Sequence, residues 1–84
     1  MFELTYGLEK FEPHKTFGEA FIELHKKLTA DLEKGISWQM IETTIWILEE
    51  GTNFPEMFYE ARDRACKIGL LIDGKINLEY KHES

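Results

Sequence analysis

The sequence is poor in several things, and each shortage excludes something. It holds one cysteine, Cys66, in 84 residues. No internal disulfide can staple it, and a reducing compartment is expected. Two prolines and six glycines are too few for a collagen-like or low-complexity chain. No apolar run approaches the ~20 residues of a membrane helix. The opening Met1-Phe2-Glu3-Leu4 lacks the basic-then-apolar pattern of a secretory signal. A cytoplasmic location without membrane contact is therefore the expectation. Positive charge is short as well: 10 Lys and Arg stand against 16 Asp and Glu, a net charge of −6.

Motifs that name a chemistry are missing too. There is no Cys-x-x-Cys, no His-Glu-x-x-His and no glycine-rich phosphate loop, so no metal or cofactor is implied. His14, His25 and His82 lie far apart. Cys66 reads as a small, partly buried hydrophobe beside a helix stripe.

What is there is large and apolar. Six Phe, three Tyr and two Trp sit in a composition that is 43% hydrophobic. That suits a single small globular domain over residues 1–84, whose core rests on aromatic side chains. Phe2, Leu4 and Tyr6 alternate with polar residues and predict a strand ending at Gly7. Thr16-Phe17-Gly18-Glu19 is a capping-box signature. Behind it Phe17, Ala20, Phe21, Leu24, Leu28 and Leu32 fall on one face, which predicts a helix over 17–34 stopped by Gly35.

Ser37 is placed to cap a second helix, with Trp38, Ile41, Ile45 and Leu48 as its stripe and Gly51 as its end. The run Thr43-Thr44-Ile45-Trp46-Ile47-Leu48 is rich in β-branched residues and also fits a strand; the stripe favours helix. Pro55 in a first turn, with Asn53 as cap, predicts a third helix over 55–68 closed by Gly69. Asp73-Gly74 between β-prone runs predicts a type I′ hairpin.

The expected fold is thus α+β: an N-terminal strand, three helices and a C-terminal β-hairpin. The first strand would pair with the hairpin in a small antiparallel sheet packed on the helices. From Ser37 to Tyr80 the order of elements resembles a winged helix-turn-helix, which would imply a nucleic-acid-binding regulator. Its would-be recognition helix exposes Glu56, Glu60, Asp63, Arg64 and Lys67, more acid than base, so phosphate neutralisation is poorly served. Spacing instead predicts ion pairs Glu60–Arg64 and Asp63–Lys67. A further alternative is a metal-dependent enzyme built on the helix carboxylates Glu19, Glu23, Glu42 and Glu49.

The leading reading comes from apolar residues off the core faces. Trp46 lies away from the second stripe, among Glu42, Glu49 and Glu50, as an interface anchor with a polar rim would. Ile22 and Tyr59 are the other two. Together they point to a non-catalytic regulator or inhibitor that binds a basic or nucleic-acid-binding protein, or a second copy of itself as a homo-oligomer.

Overall fold

A computed structural model describes residues 1–37, 39 and 44–81. Among them lie six strands and two helices. These are β1 (Phe2–Tyr6), β2 (Glu9–Lys10), α1 (Phe17–Glu33), β3 (Ile45–Glu49), β4 (Glu56–Met57), α2 (Phe58–Lys67), β5 (Leu71–Ile72) and β6 (Lys75–Ile76). The first four strands form one antiparallel sheet in the order β2-β1-β3-β4, and the last two form a separate two-stranded sheet.

β1 behaves as its alternation predicts. Leu4 and Tyr6 are buried and Phe2 is half-buried, while Glu3 is exposed. A two-residue turn at Gly7-Leu8 returns the chain as β2, with Tyr6 opposite Glu9 and Thr5 opposite Lys10. His14 then bridges Phe2 through two backbone hydrogen bonds of 2.8 Å. Three residues lie between Lys10 and His14 where two lie between Phe2 and Thr5. The ladder is interrupted between Lys10 and His14, in the stretch that holds Pro13, which cannot donate to it.

α1 starts where the capping box places it. The Thr16 hydroxyl accepts from the Glu19 amide at 3.1 Å, satisfying one of the free amides of the first turn. At its end the Gly35 amide donates to Leu32 and the Ile36 amide to Asp31, each at 3.1 Å, the bond pair of a Schellman stop. Phe17, Ala20, Phe21, Leu24 and Leu28 are buried against the sheet; Leu32, at the end of the predicted stripe, is 46% exposed.

Two further ties hold α1. The Tyr6 hydroxyl donates to Asp31 Oδ2 at 2.6 Å. Burial first, then this bond and the Asp31 charge, hold the phenol well above the usual tyrosine range. Lys27 bonds Glu9 Oε2 at 2.7 Å and stands over the Phe11 ring; the Glu9 hydrogen bond raises its pKa.

The second helix is where sequence and structure part. Ile45–Glu49 is a strand, paired with β1 along its whole length, Tyr6 opposite Ile45 through Phe2 opposite Glu49. Ile45 and Ile47 are 0% and 2% exposed while Trp46 and Leu48 are half-buried. Burial therefore has period two, and the three-residue step from Ile45 to Leu48 does not mark a helix face. A central strand flanked on both sides suits β-branched residues, and β1 offers it a ladder that a helix could not use. Trp38, Met40, Ile41, Glu42 and Thr43 lie outside the described residues.

Three corrections follow. Among the described residues the α+β fold has two helices, not three. β1 pairs with β3 rather than with the C-terminal hairpin. The winged-helix order is broken, because the strand Ile45–Glu49 stands where the end of the second helix was expected, before the recognition helix.

α2 is shorter than predicted, beginning at Phe58 with Met57 as a cap that makes no side-chain bond. Residues 56 and 57 belong to β4, and Phe54 is 86% exposed. The N-terminal edge fails as a helix because Glu56 and Met57 take up β3's free ladder side. At the other end Gly69, at φ +83°, adopts the left-handed conformation that favours glycine. The Leu70 amide then reaches the Ala65 carbonyl at 2.9 Å, and Leu70 is fully buried. Cys66 is exposed, not partly buried.

Arg64 pairs with Glu56 at 2.5 Å rather than with Glu60, and its guanidinium lies 4.3 Å from the Phe17 ring centre. The predicted Asp63–Lys67 pair forms at 3.0 Å.

The Asp73-Gly74 turn is as expected: φ is +51° and +76°, and Ile72 faces Lys75. Asn77 fastens the following chain. Its amide donates to Leu70 and its side-chain Nδ2 to Gly69.

Candidate functional site

The helices pack on one side of the four-stranded sheet, above Leu4, Tyr6, Ile45 and Ile47. Alternation turns the remaining strand residues to the other side. Thr5 sits between Lys10 and Trp46, and Trp46 between Thr5 and Met57, so Lys10, Thr5, Trp46 and Met57 form one row across all four strands. Glu3 and Leu48 are paired two residues further along the same side. Thr5, Trp46, Leu48 and Met57 are half-buried and Glu3 and Lys10 exposed. The result is an apolar centre of Trp46, Leu48 and Met57 with charges at its margins.

One margin is concave. A shallow groove of about 400 Å³ is lined by Met1, Glu3, Pro13, Leu48, Glu49, Glu50, Gly51 and Thr52. Leu48 and Pro13 make its apolar part. The Glu50 carboxylate lies 3.4 Å from the Met1 amino group. Among the described residues neither Glu3 nor Glu49 has an ion-pair partner.

Of the six residues expected at a site, Glu49 and Glu50 line the groove, while Trp46 lies on the outer face two residues from Leu48 and on the opposite side of the strand from Glu49, which is paired with Phe2. Trp46 is off the core face because neighbours alternate along a strand, not because of a helical wheel. Its lateral neighbours are accordingly Thr5 and Met57. Glu42 lies outside the described residues. Ile22 is on α1, half-buried against the core on the other side of the sheet, and does not join the group. Tyr59 is 51% exposed on α2, with the Arg62 guanidinium 5.1 Å from its ring centre; it too is apart from Trp46's face.

Glu3, Thr5, Leu48 and Met57 were not anticipated. The signal for the first two was present, since the alternation that buries Leu4 and Tyr6 turns Glu3 and Thr5 the other way. The sequence puts Leu48 on the stripe of the second helix and Met57 inside the predicted third helix.

The carboxylates considered for a metal centre are spread out. Glu23 accepts from His14 Nε2 at 3.1 Å, Glu19 occupies the first turn of α1, and Glu49 is at the sheet's end. Among the described residues no three His, Cys, Asp or Glu side chains are grouped to hold a metal ion, and no helix is long and apolar enough to cross a membrane. His14 Nδ1 is buried without a hydrogen-bond partner. Compared with protein-family models, curated proteins and solved structures, the chain matches none.

Proposed function

We propose that this chain is a small non-catalytic interaction module that regulates or inhibits a protein partner by binding it on the outer face of its sheet. The observation that carries the reading is the position of Trp46, mid-sheet on the side away from both helices, with Leu48 and Met57 beside it. Tryptophan is the residue most enriched among energetic anchors of interfaces, where a rim of less important contacts keeps water out. Glu3 and Lys10, on the same side as Trp46, would form such a rim. Charges there steer encounter and select partners more than they add affinity.

The test is a selection of binding polypeptides from a displayed library on the immobilised protein. Binders enriched on the wild type should lose about 30-fold or more in affinity for Trp46→Thr, the effect of an anchor worth ~2 kcal/mol. Binders that hold the variant as tightly as the wild type would refute the reading.

A further inference from the structure

The connection from β2 to α1 carries a titratable group that the outer face does not use. His14 is pinned there from two sides. Its backbone exchanges two hydrogen bonds of 2.8 Å with Phe2, and its ring Nε2 donates to Glu23 Oε1 at 3.1 Å. That bond assigns the tautomer: Nε2 carries the hydrogen and Nδ1 is a bare lone pair. Nδ1 is buried without a hydrogen-bond partner among the described residues. A second proton has only Nδ1 to go to. It would make a buried N–H that shares a positive charge and has no acceptor.

Two effects then oppose each other, and their sizes decide. The Glu23 side chain is 41% exposed, so its attraction for an imidazolium is worth about fivefold at most. Glu12, Lys15 and Glu19 line the same depression. All three are exposed, and water and salt screen them. From α2, Arg64 lies over the rings of Phe2 and Phe17 and brings a positive charge to His14's backbone partner. Against these stands a buried charged donor without an acceptor, which costs about tenfold to a hundredfold. That cost vanishes if the segment leaves β1 and the ring reaches water. The proton and the packed segment therefore compete.

We propose that His14 is a proton-operated latch: the neutral ring holds residues 11–15 against β1, and its protonation frees them. Pro13 lies in that segment and lines the groove with Glu3 and Leu48, so release opens one margin of the outer face. The latch stands on the surroundings of His14, whether or not the outer face binds a partner.

The experiment is amide hydrogen exchange on the full chain at about pH 8 and about pH 5, the range over which histidine changes charge. Each rate is referred to that of an unstructured peptide at the same pH. Protection of the Phe2 and His14 amides should fall about tenfold at the lower pH, while the Leu24 amide, in the middle of α1, keeps its protection. His14→Gln should abolish the difference, because glutamine still has a donor for Glu23 and does not titrate. His25→Gln should keep it. Glu23→Gln should enlarge it, since the charge that favours the imidazolium is gone. Protection at Phe2 and His14 that is unchanged or higher at the lower pH would overturn the latch. So would a fall shared by Leu24, or one that persists in His14→Gln.

Discussion

The Tyr6 hydroxyl donates to Asp31 across 2.6 Å, tying the C-terminal end of β1 to the last turns of α1. Burial and the carboxylate keep this phenol protonated beyond its ordinary pKa of about 10. The folded state therefore holds the proton more tightly than the unfolded one. The resulting stability is complete below about pH 10 and is lost as the pH rises toward the folded-state value. Tyr6→Phe should cost about 1–2 kcal/mol at neutral pH, because Asp31 is half-exposed and recovers water. It should also flatten the fall in stability above about pH 10. Urea midpoints of both proteins at neutral and alkaline pH measure this; parallel falls would show that Tyr6 is not the group responsible.

The core makes a graded prediction. Phe21 is fully buried, and Leu28 and Phe58 are 7% and 6% exposed. Alanine at each should cost about 2–5 kcal/mol, enough to unfold a domain of this size outright. Leu32→Ala, on the same predicted stripe but half out in solvent, should cost less than any of them. Thermal melts that rank Leu32 with Phe21 would contradict the packing of α1.

How much of this was legible follows from which signals were local. The α1 cap, its buried stripe, the alternation of β1 and the Asp73-Gly74 turn are dictated by neighbours in sequence, and each is where the residues put it. Ile45–Leu48 was ambiguous, because its residues satisfy a helical stripe and a strand alternation at once. The tie is broken by β1, some forty residues earlier, and pairing partners at that distance leave no local mark. The start of α2 was misplaced for the same reason: Glu56 and Met57 answer to β3 rather than to Pro55. On a helix Trp46 is off-core by its angle from the stripe. The strand leaves it off-core on different grounds and gives it other neighbours.

The hairpin gives a test of backbone conformation alone. Nothing lies within 4 Å of where a Cβ would sit on Gly74, whose φ is +76°. Substitution there meets no clash, and its cost is conformational. Gly74→Val should lower stability by about 1–2 kcal/mol, and Gly74→Asn by less, since asparagine visits the left-handed region more readily. The His25 ring, 3.3 Å from the Gly74 carbonyl, should show altered chemical shifts in the valine variant. Equal melting temperatures for valine, asparagine and wild type would mean that the turn does not require positive φ in solution.

The central claim is that Trp46 is a binding anchor and its neighbour Ile47 a core residue, one strand presenting the two to opposite sides of the sheet. The most direct measurement is a paired one, melting temperature and affinity for a selected binder, on Trp46→Thr and Ile47→Ala. Threonine keeps strand propensity, so Trp46→Thr should stay folded with a small loss of about 1 kcal/mol while affinity falls about 30-fold. Ile47→Ala should lose about 2–5 kcal/mol of stability, and whatever remains folded should bind like the wild type. A Trp46→Thr protein that binds as tightly as the wild type, or one that unfolds as readily as Ile47→Ala, would contradict the account.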